Sequence, residues 1–317
     1  MSLAVVFPGQ GSQSVGMLGS LATSEPLVIE TFAEASDVLG YDLWKLSQSG
    51  PEADLNATER TQPALLTAGV AVWRVWRRRG GPLPVVMAGH SLGEFTALVC
   101  AEALEFRTAV DLVRFRGRVM QEAVPAGQGA MVVVLGLEDA DVVAACAGAA
   151  QGEIVEAVNF NAPGQVVIAG HATAVRRAIE ACKQRGAKRA LDLPVSVPSH
   201  SSLMRPAAEK LRERLKNVEV RRPQVPEIYT VDVSKHGEPD DIRQALVQQL
   251  FSPVRWADTV RQMIAGGVTH IVECGPGKVL TGLNRRIERR KEIAMSALEE
   301  SPAIDEAIAT CRGASNA

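Results

Sequence analysis

The fold of this chain is decided by one stretch of sequence, Val85-Val86-Met87-Ala88-Gly89-His90-Ser91-Leu92-Gly93. A short apolar run leads into the pattern G-x-S-x-G, and no early proline follows, which predicts a strand, a tight turn and a helix. In such a turn the serine projects from the end of the strand, and the first amide of the helix faces any anion that forms there. An ordinary glycine-rich turn is the alternative, but the flanking strand and helix favour Ser91 as a nucleophile.

Strands and helices alternate on both sides of this turn. Predicted strands cover residues 4–7, 85–88, 227–231 and 269–273. Predicted helices cover residues 26–39, 62–79, 93–102, 107–123, 202–215, 240–250, 256–265 and 279–290. This alternation is typical of a parallel sheet that is covered by helices on both faces. We expect the small, polar tail from Ser301 onward to be loose.

The pattern changes between residues 127 and 197. Strands are predicted there at 130–135, 154–160, 165–169 and 188–193, with helices at 138–149 and 173–185. The order β-α-β-β-α-β is that of the split βαβ, or ferredoxin-like, unit. We therefore expect an α/β protein with a discontinuous parallel-sheet core, residues 1–126 and 198–317, and an inserted ferredoxin-like small subdomain, residues 127–197.

The composition argues against several classes of protein. Of the 317 residues 46% are hydrophobic and only 4% aromatic, and the formal net charge is −2. Few aromatic rings and a slight negative charge argue against a nucleic-acid-binding platform. The longest segment without charge, residues 157–175, contains Asn, Gln, His and Pro, so it is not a membrane helix. The stretch Gly275-Pro276-Gly277-Lys278 lacks the spacing of a Walker-type nucleotide site.

The cysteines indicate the redox environment. There are five, widely spaced and without a C-x-x-C pair: Cys100, Cys146, Cys182, Cys274 and Cys311. This pattern favours reduced thiols over a disulfide framework or a zinc site, so we expect a cytoplasmic protein without a metal centre. The apolar run at the N-terminus has no basic residues before it and is too short for a signal peptide.

A serine nucleophile needs a base, and the chain has five histidines. His200 follows the insertion directly, where a loop would face the turn, and it comes after the serine as in α/β-hydrolase triads. The other four have different expected places: His90 on the turn with its ring pointing elsewhere, His171 and His236 in surface turns, and His270 in the structural core. His200 is therefore the candidate base.

One arginine of the helix predicted at 107–123 falls on its apolar stripe. Arg116 lies four residues after Leu112 and four before Met120, whereas Arg114 and Arg118 lie on the other side. The 3.6-residue period therefore predicts that Arg116 points inward. A buried guanidinium needs a partner. The sequence leaves two partners open, an internal Asp or Glu or the carboxylate of a substrate held by two parallel bonds.

Together these segments resemble the malonyl-CoA:acyl-carrier-protein transacylase family over nearly the whole chain. Several separate motifs in the right order carry the resemblance, which a lone G-x-S-x-G would not. They are Phe7-Pro8-Gly9-Gln10-Gly11-Ser12-Gln13, Thr61-Gln62-Pro63-Ala64, Gly89-His90-Ser91-Leu92-Gly93-Glu94, Arg116-Gly117, Gln121–Pro125, Val158–Gly170, Val195–His200 and Gly275-Pro276-Gly277-Lys278-Val279-Leu280. The free-standing length is similar to that of the discrete bacterial enzymes of fatty-acid synthesis.

The resemblance implies roles for the reacting pair. Ser91 would be the nucleophile that becomes malonylated, and His200 its base and later its general acid. In this family a main-chain carbonyl, near the position of Gln249, orients the histidine. A Ser-His dyad is therefore expected, and Asp192, although close to His200 in sequence, is expected to be structural. The implied fold is an α/β-hydrolase-like large subdomain with a ferredoxin-like small one.

The resemblance also implies a reaction and its partners. Malonyl-CoA would donate the malonyl group, and the phosphopantetheine thiol of acyl carrier protein would accept it in a ping-pong transfer that supplies fatty-acid elongation. Arg116 would pair with the malonate carboxylate, and the amides of Gln10 and Leu92 would form the oxyanion hole. No metal or other cofactor is implied, and a monomer is expected.

Carrier proteins of this kind are acidic, so a basic docking surface is expected. The candidates are Lys183–Arg189 and Arg285–Lys291, although an ordinary solvated helix face is the alternative for each.

Two other functions use the same features. A serine thioesterase or esterase would take water as second nucleophile and would not need an inward Arg116. A non-catalytic carrier-binding scaffold would not need Ser91 and His200.

Overall fold

Two sheets organise the computed structural model, which describes residues 2–194, 197–225, 227–229 and 231–313. A parallel sheet has the strand order β7-β2-β1-β8-β9, and an antiparallel sheet has the order β4-β5-β3-β6. The strands are β1 (Leu3–Phe7), β2 (Val86–Gly89), β3 (Gly129–Leu135), β4 (Val155–Ala162), β5 (Gln165–His171), β6 (Arg189–Asp192), β7 (Glu227–Tyr229), β8 (His270–Glu273) and β9 (Ala294–Ala297).

The parallel sheet forms around β1, whose five residues are all buried. A continuous apolar run of this kind is typical of a strand that helices cover on both faces. β1 pairs in parallel with β2 on one side and β8 on the other, with Phe7 opposite Gly89 and Val6 opposite Glu273. The carboxyl ends of these strands therefore meet at one edge of the sheet, where the turn after β2 begins.

The described residues form the ten helices predicted from the sequence, with bounds that differ by a few residues, and four others. They are α1 (Gly19–Ser24), α2 (Pro26–Leu39), α3 (Leu43–Ser49), α4 (Glu52–Leu55), α5 (Thr58–Arg78), α6 (Gly93–Cys100), α7 (Phe106–Glu122), α8 (Asp139–Ala149), α9 (Ala172–Gln184), α10 (Arg205–Leu215), α11 (Pro239–Gln248), α12 (Trp256–Ala265), α13 (Val279–Ile287) and α14 (Ser301–Gly313). Short 3-10 turns cover Ser202–Met204 and Gln249–Phe251.

The helices α5 and α7 carry much of the site and pack closely together. α5 is buried on nearly all sides, as expected of a helix inside a domain. α7 approaches it at Gly117, where a Cβ atom would lie 2.6 Å from the main-chain oxygen of Thr58. Only glycine allows this contact, and it places the residue before it, Arg116, against the first turns of α5.

The antiparallel sheet has the topology expected of a ferredoxin-like unit. Its strand order, with the sequence order β-α-β-β-α-β, places the first and third strands in the centre. Apolar residues of α8 and α9 pack with those of β3, β4 and β5 in a separate small core. The α/β fold with a parallel and an inserted antiparallel sheet is thus confirmed. The subdomain boundaries at 126/127 and 197/198 stay predictions, and Val195 and Ser196 lie outside the described residues.

Main-chain hydrogen bonds join the antiparallel sheet to the loop before α12. The amide of Phe160 in β4 donates to the carbonyl of Val254 over 2.9 Å, and the amide of Val254 donates to the carbonyl of Val158 over 2.8 Å. β4 is therefore tied to the loop that leads into α12, on the side of the parallel sheet.

The C-terminal region differs from the sequence prediction. The tail expected to be loose forms α14 from Ser301 to Gly313, with Ile304, Ile308 and Cys311 buried. Arg79, at the end of α5, binds the start of α14 through the carbonyl and hydroxyl oxygens of Ser301. The edge strand β9 and the short helices α1, α3 and α4 were also not predicted. Across the described ranges, no helix is both long enough and apolar enough to cross a membrane.

Candidate active site

The turn after β2 has the geometry expected of a nucleophile elbow. Ser91 has a φ of 53°, in the left-handed region, and lies between the end of β2 and the first turn of α6. α6 lies so close to β1 that a Cβ atom on Gly93 would be 2.0 Å from the main-chain oxygen of Phe7. A glycine at 93 therefore allows the turn to be tight enough to project Ser91 from the sheet edge.

His200 lies directly beside Ser91. Its Nε2 is 2.8 Å from Ser91 Oγ, and its Nδ1 is 2.8 Å from the main-chain oxygen of Gln249. A carbonyl oxygen only accepts hydrogen bonds, so Nδ1 carries the proton and Nε2 is the acceptor for the serine hydroxyl. Burial and the positive charge of Arg116 lower the pKa of His200 to about 3. The imidazole is therefore neutral at physiological pH, as a general base must be.

Arg116 is buried, with 1% of its surface exposed, as its place on the helix stripe predicted. Its Nη1 donates to Oε1 of Gln62 over 2.9 Å, and its Nη2 donates to Oε1 of Gln249 over 2.8 Å. Nη2 also lies 3.4 Å from Ser91 Oγ, and Nε is buried without a hydrogen-bond partner. Burial lowers the pKa of Arg116 to about 10, so the guanidinium stays charged at neutral pH.

Within the described ranges, no carboxylate oxygen lies within 4.0 Å of the Arg116 guanidinium. Both side chains that hold it are neutral amides, those of Gln62 and Gln249. The sequence left two partners open for Arg116, an internal acid or a substrate carboxylate. Among the described residues, no internal acid is in direct contact with it. A buried cation that lies beside the serine and is held by neutral amides is an arrangement suited to a small carboxylate.

These groups line one cavity of about 80 Å³ between the two sheets. The amides of Gln10 and Leu92 make no hydrogen bond to any other described residue, so both are free to donate into this space. The side chains around the cavity come from both subdomains: Gln10, His90, Ser91, Leu92, Arg116, Met120, Met131, Asn159, Leu193, Ser199 and His200. The predicted site residues are thus brought together, while their catalytic roles stay predictions.

The other histidines do not reach the serine. His90 is among the residues around the cavity, and its ring is directed at Asn161, with Nε2 2.8 Å from Oδ1 of that residue. His171 is half-buried at the end of β5 and accepts a hydrogen bond from the amide of Ile154. His236 pairs with Asp232 near the surface.

Some residues of the site were not singled out by the sequence analysis. Gln62 lay within a quoted family motif but was given no role, and Glu94 lies one turn of helix after Ser91. Both are buried polar residues, which is unusual for a side chain without a function or a partner. Asp192, in contrast, is exposed on β6 and takes no part in the hydrogen bonds around His200.

Known proteins are similar to this chain in sequence and fold. The family described as the acyl transferase domain matches residues 4–298. The malonyl CoA-acyl carrier protein transacylase of Escherichia coli K12 is 58% identical over 305 residues, 96% of this chain and 98% of that protein. The protein of that name from Bacillus subtilis is 46% identical over 297 residues, 93% of each.

Solved structures agree with these relatives. A malonyl-transacylase in complex with its type II PKS acyl-carrier protein is 54% identical, with a TM-score of 0.96 over 98% of this chain and 100% of that one. An acyl carrier protein S-malonyltransferase from Vibrio cholerae is 56% identical, with a TM-score of 0.93 over 96% of this chain and 99% of that one. With a family match across most of its length and relatives that are more than half identical, the chain belongs to the acyl transferase family, in the group of malonyl CoA-acyl carrier protein transacylases.

Proposed function

We propose that this chain is an acyltransferase that moves a malonyl group from malonyl-CoA to the phosphopantetheine thiol of acyl carrier protein. One observation carries the proposal beyond the family resemblance. The Ser91–His200 pair opens into the same cavity as Arg116, a buried cation that donates to the neutral amides of Gln62 and Gln249. A nucleophile beside a site for a negative charge fits an acyl group that ends in a carboxylate.

In the first half-reaction the serine takes the malonyl group. Nε2 of His200 accepts the proton of Ser91 as the serine oxygen attacks the thioester carbonyl. The amides of Gln10 and Leu92 donate to the oxyanion of the tetrahedral intermediate. The carbon–sulfur bond then breaks, and the departing CoA sulfur takes the proton from the imidazolium, which leaves malonyl-serine and free CoA.

The second half-reaction repeats these steps with a new nucleophile. His200 accepts the proton of the phosphopantetheine thiol, and the sulfur attacks the malonyl-serine ester. When the intermediate collapses, Ser91 leaves as an alkoxide and regains the proton from His200. Each half-reaction exchanges one acyl bond for another, so atoms and electrons balance without a metal or a redox cofactor.

Arg116 would select the malonyl group by binding its free carboxylate. Two charge-assisted hydrogen bonds contribute about 1.5–3 kcal/mol each. Their loss in Arg116→Ala should therefore lower kcat/KM for malonyl-CoA by roughly 10²–10⁴. Acetyl-CoA has no carboxylate to bind, so its rate should change far less. Malonyl and acetyl rates that keep their original ratio in Arg116→Ala would refute this role.

The carrier protein would dock on a basic surface, for which Lys183–Arg189 and Arg285–Lys291 are the candidates. Each segment has at least one basic side chain in an ion pair, Lys183 with Glu180 and Arg290 with Glu288. Such exposed pairs contribute little and exchange readily for an acidic partner. A cytoplasmic location is supported by the cysteine pattern, five widely spaced residues without a C-x-x-C pair. The proposed enzyme is a monomer, and it supplies malonyl groups for fatty-acid elongation.

Intact-protein mass spectrometry tests the function directly. The chain is mixed with malonyl-CoA and then with holo acyl carrier protein, with Ser91→Ala as the control that should gain no mass. A malonyl increment that appears on the chain and moves to the carrier supports the transferase. Release of CoA with malonate passing to water would favour the thioesterase, and absence of any increment would favour a non-catalytic scaffold.

A further inference from the structure

A buried glutamate next to the nucleophile has no part in the steps above. Glu94 lies in the first turn of α6, three residues after Ser91, with 2% of its surface exposed. Its Oε2 accepts a hydrogen bond of 2.6 Å from Nε2 of Gln249, and its Oε1 is buried without a hydrogen-bond partner. Burial raises the pKa of Glu94, which the hydrogen bond from Gln249 and the charge of Arg116 oppose. A buried carboxyl group is costly, so its position needs a reason.

The side-chain amide of Gln249 connects this carboxyl group to the site. Its two N–H groups are both used, one toward Glu94 and one toward the main-chain oxygen of Ser91 at 3.0 Å. Its oxygen accepts from Nη2 of Arg116 over 2.8 Å. If the amide turned over, its N–H groups would face those of Arg116, and its oxygen would face two acceptors.

We propose that Glu94 is a positioning residue for malonyl selection, which fixes the amide of Gln249 so that its oxygen holds Arg116 at the cavity. The inference rests on the proposed function, because it concerns how the carboxylate site of that reaction is held. The carboxyl group of Glu94 lies more than 4.0 Å from the guanidinium of Arg116. It therefore acts on Arg116 through Gln249, which contacts both.

This role predicts an effect on substrate choice. Glu94→Met keeps a side chain of similar length but removes the acceptor, so the Gln249 amide is held only at Ser91 and Arg116 loses its fixed partner. Loss of one well-placed bond to a charged group should lower malonylation of Ser91 by about tenfold or more relative to acetylation. A shift of Ser91 itself would slow both substrates equally and leave their ratio unchanged.

The experiment measures single-turnover acylation of Ser91 by malonyl-CoA and by acetyl-CoA with intact-protein mass spectrometry. The ratio of the two rate constants should fall in Glu94→Met, and this fall should vanish when Arg116→Ala is also present, because no guanidinium is left to position. Equal slowing of both substrates, or the same further loss in the Arg116→Ala background, would overturn the role.

If Glu94→Met does not fold, a second variant, Glu94→Asp, with its own control, still tests the inference. Glu94→Asp moves the carboxyl group away from Gln249 by one methylene, so the ratio of the malonyl to the acetyl rate constant should fall. An unchanged ratio would overturn the inference. Glu273→Asp is the matched control. Glu273 is buried in β8 and accepts hydrogen bonds from the amides of Leu280 and Thr281, outside the cavity, so its ratio should stay that of wild type.

Failure of this inference is separable from failure of the proposed function. If wild-type protein gains no malonyl group, the proposed function fails. If wild-type protein prefers malonyl-CoA and the Glu94 variants keep that preference, only the positioning role fails.

Discussion

Replacing Gly93 by alanine should disable the site without touching a reacting group. The new Cβ atom would lie 2.0 Å from the main-chain oxygen of Phe7 and 2.7 Å from its carbonyl carbon. Such contacts do not occur below 3.0 Å, and both partners are main-chain atoms that no rotamer change relieves. α6 must therefore move away from β1 by about 1 Å.

That displacement sets the expected size of the effect. Leu92 and Ser91 precede Gly93 directly, so a shift of about 1 Å misplaces the proposed nucleophile and the proposed oxyanion-hole amide together. Misplacement by about 1 Å costs up to about 10²-fold in rate. We therefore expect kcat/KM for malonyl transfer to fall by about 100-fold in Gly93→Ala. Overpacking should also lower stability by about 1–3 kcal/mol.

The assay is malonyl transfer from malonyl-CoA to holo acyl carrier protein, followed alongside thermal unfolding. Gly282→Ala is the matched control, because Gly282 lies within α13 and a Cβ atom there would meet nothing within 4 Å. The control should keep full activity and gain about 0.5–1 kcal/mol of stability, as alanine is favoured over glycine in a helix. Wild-type activity in Gly93→Ala would refute the argument from close packing.

Two further predictions concern the base and the C-terminal helix. Since burial lowers the pKa of His200 to about 3, the base stays neutral as the pH falls, so kcat/KM for malonyl-CoA should show no histidine inflection near pH 6.5; a midpoint there would contradict it. Arg79→Ala should lower stability by about 1–3 kcal/mol and expose α14 to limited proteolysis, because Arg79 joins the buried Glu25 to Ser301; an unchanged cleavage rate would show that α14 is held by its apolar face alone.

The local features of the site were predictable from the sequence. The elbow is specified by a few consecutive residues, and the inward direction of Arg116 follows from the period of one helix. The partners of Arg116 were not predictable in this way, because Gln62 and Gln249 are 54 and 133 positions away and meet it only through packing. A family resemblance pointed to the position of Gln249, but its contact with Glu94 is formed only by the three-dimensional packing of α6 against the turn at Gln249–Phe251.

The two errors in the predicted fold, at α14 and at β9, have different causes. α14 has a recognisable apolar stripe at Ile304, Ala307, Ile308 and Cys311, with the spacing i, i+3, i+4, i+7, which the small and polar composition obscured. β9 has no β-branched residue in its sequence Ala-Met-Ser-Ala, and it exists because β8 offers a free edge for parallel pairing. The first could be recovered from sequence, whereas the second depends on the neighbouring strand.

The main-chain bonds between Phe160, Val254 and Val158 have a consequence for the order of turnover. Swinging β4 away from the loop before α12 would break both bonds, so we expect the cavity to keep its shape while donor and acceptor thioesters enter and leave. Because the cavity at Ser91 has a volume of about 80 Å³, we expect CoA and carrier protein to use it one after the other. A malonylated chain would therefore keep its acyl group until CoA had dissociated. Excess carrier protein would slow the reaction by occupying the cavity before malonyl-CoA binds.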